Sequence, residues 1–139
     1  MNLERAIEIA SRAHKGQLDK NNQPYILHPL RVMLSMNCNK ERIVAVLHDV
    51  LEDTNTKESY LRSLFGDEIT DAVVAISKRD GETYLGFIER CCKNALAKSV
   101  KKVDISDNAS PARLYQLPPD DRTRLRIKYT KALNYIDNL

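Results

Sequence analysis

The run Leu47-His48-Asp49-Val50-Leu51-Glu52-Asp53 places one histidine and three carboxylates within six positions. It follows the apolar stretch Ile43-Val44-Ala45-Val46-Leu47, which reads as a buried helix. Polar groups at the end of a core helix are costly unless something compensates them. A divalent metal is the most economical compensation, because it holds His and Asp in the interior and neutralises their charge. The run therefore points to metal chemistry rather than to surface solubility.

His48 and Glu52 stand one helical turn apart, as do Asp49 and Asp53. His48 and Asp49 are the natural metal ligands. Glu52 and Asp53, one turn on, could orient a water or accept its proton. One segment cannot close a metal site, so others must contribute. His28, held before Pro29, is one candidate, and Asp104 is another. A His, His, Asp, Asp set suits Mn²⁺, Fe²⁺ or Zn²⁺ better than Mg²⁺ or Ca²⁺. Blander readings stay open on local grounds. A histidine before proline is more often a cap or core residue, and Asp104 alone more often an N-cap or ion-pair residue. His14 reads as structural or supporting, and Tyr25, Tyr84 and Tyr129 as core-edge aromatics.

These residues need a frame, and the pattern is helical nearly throughout. Helices are expected over 3–14, from Pro29 through Leu34, over 40–53, from an N-cap at Thr56 to near Gly66, and over 67–77. Gly81 interrupts, then helices follow at 83–95 and 96–105, a short one begins at Ser110-Pro111, and an amphipathic helix runs from Asp120 to the end. Residues 17–24 read as a polar loop, and strand signals are weak. The expected fold is all-α, a compact orthogonal bundle forming a single domain over 1–139.

Composition narrows the function classes. The 139 residues are 42% hydrophobic and 29% charged, too mixed for a disordered or membrane-bound chain. No apolar run could span a bilayer, and the N-terminus lacks a signal-peptide pattern. Cys38, Cys91 and Cys92 have no zinc-ligand spacing, which fits reduced thiols and a cytoplasmic protein. The net charge of +3 is unevenly spread, with acids around 49–58 and a basic run from Arg122 to Lys128. That run is either a solvated face or a basic wall for a polyphosphate. Nucleic-acid binding lacks a docking motif.

The order His28, then His48-Asp49, then a distant Asp104 in a helical chain resembles the HD-domain metal-dependent phosphohydrolases. Ala13-His14-Lys15-Gly16-Gln17, Pro24-Tyr25-Ile26-Leu27-His28-Pro29-Leu30, the run from Leu47 to Thr54, and the stretch from Lys102 to Asn108 resemble the hydrolase domain of the RelA/SpoT homologues, in its small stand-alone form. The resemblance implies that His28, His48, Asp49 and Asp104 hold the metal, usually Mn²⁺. It implies that Glu52 and Asp53 activate the attacking water, and that Lys20 and Asn108 touch the nucleotide. Lys78, Arg79, Arg124 and Lys128 would help to hold the polyphosphate. The implied reaction removes the 3′-pyrophosphate of (p)ppGpp, giving GDP or GTP and pyrophosphate.

Two departures bear on the base. Where the family has an arginine that packs on guanine, this chain has Asp19, and Asn108 is followed by Ala109-Ser110-Pro111 instead of an apolar residue, Arg and Thr. The same chemistry on another nucleotide such as (p)ppApp or NADPH stays open, as does a catalytically silent nucleotide-binding module. The partner is in each case a small nucleotide, with neither nucleic acid nor membrane. The last helix could pack within the chain or against a second copy.

Overall fold

The computed structural model describes residues 2–139. Among them are nine helices and no strand, with one isolated antiparallel bridge between Leu18 and Pro24. Helix α1 (Leu3–Ala13) is capped by Asn2, whose side chain accepts the Arg5 N–H at 2.9 Å, and it buries Ala6, Ile9 and Ala10 on one face. Helix α2 (Leu27–Leu34) carries Pro29 in its first turn, where the missing N–H breaks nothing.

Helix α3 (Asn39–Leu47) is the centre of the molecule. Ile43 through Leu47 are all buried, because α1, α2, α5 and α7 pack around it. The expected helix over 40–53 is in fact two. The ladder stops after Leu47, and a one-turn helix α4 (Val50–Asp53) follows. The carbonyl of Ala45 receives both the backbone N–H and the ring Nδ1–H of His48, which tightens the turn and ends α3.

Helix α5 (Glu58–Ala75) joins the two expected segments across a kink at Gly66, whose φ of 82° suits glycine. Thr56 does not cap it. The helix starts after Lys57, and the Thr56 hydroxyl pairs with that of Thr54 at 2.8 Å. Helices α6 (Tyr84–Cys91) and α7 (Ala95–Asn108) are capped by Thr83 and Asn94. Helix α7 runs three residues beyond the expected 105 and so carries Asp104, Asp107 and Asn108 in regular helix. After the short α8 (Pro111–Leu114), α9 (Pro119–Asp137) packs on α6 and α7 through Ile88, Ile105, Ala132 and Ile136. The last helix is therefore held within the chain. No helix among the described residues is long and apolar enough to cross a membrane.

Candidate metal centre and active site

Three helices deliver the central cluster. His28 comes from the first turn of α2, His48 from the break after α3, and Asp104 from the buried face of α7. One donor atom from each lies within 4.8 Å of the others. His28 Nε2 is 2.8 Å from Asp104 Oδ1, and His48 Nε2 is 3.3 Å from the same oxygen. Asp49 stands at the edge of the cluster, with Oδ2 3.0 Å from His48 Nε2 and 3.9 Å from His28 Nε2. The Tyr25 hydroxyl donates to that Asp49 oxygen.

Each imidazole is turned by a partner behind it. Nδ1–H of His28 donates to Asp107 at 2.6 Å, and Nδ1–H of His48 donates to the Ala45 carbonyl. Both Nε2 atoms then face the shared centre, an orientation typical of ligating histidines. His48 Nε2 is buried and makes no hydrogen bond, although two carboxylates are close. Two nitrogens and two carboxylates converging around an unpaired nitrogen fit a divalent cation, and the mixed N/O donor set suits a transition metal. Burial opposes the charged form of His48, but Asp49 and Asp104 outweigh it and hold its pKa well above the usual value. Burial likewise opposes the charged form of Asp104, yet Lys101 and His48 keep its carboxyl well below the usual range.

Glu52 and Asp53, on α4, line one cavity with His28, Asp49 and Asp104. Both carboxyls are pushed up, Glu52 by burial and then by Asp49 and Asp53, Asp53 by burial and then by Asp49. Carboxylates raised in this way are stronger bases than ordinary ones, as proton acceptors must be. The Lys78 backbone N–H donates to Glu52 Oε1 at 3.2 Å, and the Gln17 side-chain amide donates to the Asp53 carbonyl at 3.1 Å.

The structure sorts the six sequence-proposed substrate residues. Lys78, Lys128 and Asn108 line the cavity that holds the acidic pair. The Lys128 amine lies 4.3 Å from the Tyr84 ring centroid, and burial followed by repulsion from Lys20 and Lys101 lowers its pKa. Lys20 lines a neighbouring cavity of about 270 Å³, which shares Tyr25, Asn108 and Tyr129 with the first and adds apolar walls from Leu18, Leu114 and Leu117. Arg79 lines a shallower depression beyond Glu52 and Lys78. Arg124 is exposed and pairs with Asp121 at 3.3 Å.

Sequence reasoning missed four contributors. Lys101 is buried, 2.9 Å from Asp104 Oδ2 and 4.7 Å from the Phe87 ring centroid. Its signal was a lysine on the same helical stripe as Ala97, Val100 and Asp104. Asp107 supports His28 and is itself held by Arg31 and Arg113. Arg113 also donates to Asn108 and approaches Asp19 at 3.5 Å. Tyr25, read as a core-edge aromatic, reaches Asp49 from the far side of the residue 17–24 loop. That loop is ordered by Asp19, whose Oδ1 accepts the N–H groups of Asn21 and Gln23. The carboxylate that the sequence set against a nucleobase is occupied within its own loop.

Residues 6–103 match the family model described as "HD domain". The chain is 32% identical over 136 residues to a probable GTP pyrophosphokinase of Mycobacterium leprae, a match covering 88% of this chain and 17% of that protein. It is 33% identical over 124 residues to a guanosine-3′,5′-bis(diphosphate) 3′-pyrophosphohydrolase of Aquifex aeolicus, covering 86% and 16%. The chain thus spans about a sixth of the length of these curated relatives. A solved structure described as a metazoan ortholog of SpoT that hydrolyses ppGpp superposes with a TM-score of 0.81 at 21% identity, covering 96% of this chain and 84% of that one. At that identity the likeness shows the fold.

Proposed function

This chain belongs to the HD domain family, and on that premise we propose that it is a metal-dependent hydrolase removing the 3′-pyrophosphate of guanosine alarmones. The carrying observation is the buried convergence of His28, His48 and Asp104, with His48 Nε2 unpaired, beneath a cavity that His28 and Asp104 line together with Glu52 and Asp53. The relatives named as (p)ppGpp 3′-pyrophosphohydrolases support the substrate class. His28, His48, Asp49 and Asp104 would hold the metal, which we take to be Mn²⁺. When bound, it would supply Lewis-acid polarisation of the phosphoryl group.

The chain's own residues account for the rest. Glu52 and Asp53 orient one water and take its proton as its oxygen bonds to the phosphorus next to the ribose 3′-oxygen. The bond to that 3′-oxygen breaks, and the 3′-hydroxyl forms as it gains a proton. Lys78 and Lys128 offset the polyphosphate charge. Lys20 and Asn108 face the nucleoside along the apolar neighbouring cavity. The three free cysteines support a cytoplasmic setting, and residues 1–139 would act as one hydrolase domain. A second reading keeps this chemistry and changes the base to adenine, as in (p)ppApp. It is favoured by Asp19, which stands where the resemblance has an arginine and is tied into its loop.

The test is turnover of ppGpp, ppApp and NADPH with Mn²⁺, with and without chelator. The first reading expects GDP and pyrophosphate from ppGpp, abolished by chelator. Turnover of ppApp alone would move the base. Nucleotide binding without turnover of any of the three, across several metals, would defeat both readings.

A further inference from the structure

Helix α4 is a single turn, too short to fix its own geometry, and its last residue is Asp53. The Asp53 carbonyl is held from another part of the chain, by the Gln17 side-chain amide at 3.1 Å. Gln17 is in turn fixed by His14. His14 closes α1, is 1% exposed, and has Nδ1 2.8 Å from Gln17 Oε1. Because Gln17 Nε2 is committed as a donor to Asp53, its Oε1 must accept, so His14 carries its proton on Nδ1. His14 Nε2 is left buried and without a partner. The backbone of Gln17 completes the brace. Its N–H donates to the His14 carbonyl at 3.0 Å, and its carbonyl accepts the Tyr25 N–H at 2.9 Å. Tyr25 then donates its hydroxyl to Asp49, and its ring centroid lies 5.0 Å from that of His14.

We propose that Gln17, locked in orientation by the His14 Nδ1–H, is a positioning residue that sets where Asp53 stands relative to the metal cluster. The proposal rests on the water-activating role given to Asp53 above. Gln17 acts through the Asp53 backbone, so its loss moves the base without removing a ligand or a substrate contact. A displacement near one ångström of a catalytic group can cost about a hundredfold in rate.

The experiment compares Gln17→Met, which keeps length without the donor, with His14→Asn, His14→Gln and His14→Leu in the full chain. The Asn amide places an N–H where Nδ1–H stands, whereas the Gln amide mimics the Nε2 position. For ppGpp hydrolysis, Gln17→Met, His14→Gln and His14→Leu are expected to lower kcat by about 30- to 100-fold. KM and Mn²⁺ affinity should hold, and His14→Asn should stay close to the parent. Unchanged kcat in Gln17→Met, or an equal loss in His14→Asn and His14→Leu, would overturn the proposal. If Gln17→Met does not fold, Gln17→Glu keeps the acceptor for His14 and removes the donor, and the same kcat loss is expected.

A second readout needs no turnover. NMR of the unaltered protein should find His14 in the Nδ1–H form and the Gln17 side-chain amide protected from exchange. An Nε2–H tautomer or a freely exchanging amide sinks the proposal. Failure of the parent protein to hydrolyse any alarmone defeats the functional reading instead, and these NMR signals still decide whether the brace exists.

Discussion

The floor of the cavity and its rim are built on different principles. On the floor, His28, His48, Asp104 and Lys101 are all buried, and each has a committed partner or a nitrogen waiting for one. On the rim, Lys20, Lys78, Arg79, Arg124 and Lys128 project from three surface segments, and all are exposed. Floor geometry is over-determined, since moving one ligand disturbs a second helix. Rim geometry is not, and its charges act mainly as a field. The lesson is that single substitutions should have discrete effects below and graded effects above.

The sharpest way to break this contrast is to remove floor groups. His48→Ala or Asp104→Ala should abolish metal binding, and loss of several kcal/mol of Lewis-acid stabilisation corresponds to roughly a thousandfold or more in kcat/KM. Isothermal titration with Mn²⁺ and single-turnover hydrolysis would check it. Glu52→Gln with Asp53→Asn should retain metal but lose about 10²- to 10⁴-fold in kcat. Because burial and Asp49 raise both carboxyls, the acid limb of the parent's kcat profile should begin above the ordinary carboxylate range. A limb near pH 4 would contradict the assignment of either residue as proton acceptor.

Lys101→Met tests whether the floor is a charge network. Removing one partner of a buried pair leaves an uncompensated charge and costs about 3 kcal/mol or more. The sign with pH follows from Asp104. Its carboxyl is held well below 3.8 after burial is outweighed by Lys101 and His48. The stability it lends is present above that unfolded value and is lost as pH falls toward the folded one. Without Lys101 the loss should begin at higher pH, visible as an earlier fall of Tm on acidification. Added Mn²⁺ should restore part of the Tm, because a cation replaces the missing charge. A Tm insensitive to the substitution would mean that Asp104 draws its compensation from the histidines alone.

What the sequence made legible follows the same division. His48 and Asp49 stood out because polarity interrupts an apolar run, and a buried polar group demands a reason. Helix α3 itself was readable for that cause, but its end was not. Propensity continues through Val50 and Leu51, and the break depends on where the His48 ring sends its N–H. Lys101 was hidden beside Lys102, a pair that looks solvated until the α7 stripe is counted against Asp104. The rim failed differently. Arg122, Arg124, Arg126 and Lys128 read as one basic run, yet one turn of helix separates Lys128 on the cavity from Arg124 paired with Asp121. Charge is visible in sequence, whereas which cation reaches the cavity and which is spent on a neighbouring carboxylate is a property of packing.

Asp19→Arg lies between the two regions. By analogy with the family it would restore a cation near the base. In the structure it removes the acceptor of two backbone N–H groups and places a guanidinium beside Arg113. Each orphaned N–H costs about 1–3 kcal/mol where it stays buried. The expected outcome is a lower Tm with KM raised for every nucleotide, measured across ppGpp and ppApp. A selective gain on ppGpp would show that the loop re-forms around the new side chain and that position 19 reads the base.

The smallest effects belong to the outer rim, and they measure how far the field reaches. Lys128 touches the cavity and is stacked over Tyr84, with its neighbours Lys20, Lys101, Arg124 and Lys78 crowding it. Removing it takes a cation from the polyphosphate and relieves that crowding, so Lys128→Ala should raise KM about tenfold at low salt. Arg124 already spends its charge on Asp121 and is 62% exposed, a pairing that is worth little in water. Arg124→Ala should therefore change KM by about twofold or less, and the difference should vanish above about 0.3 M salt as the Debye length shrinks. Equal losses for the two substitutions, persisting at high salt, would mean that α9 turns Arg124 inward when substrate is bound. The rim would then be built in the way the floor is, by committed contacts.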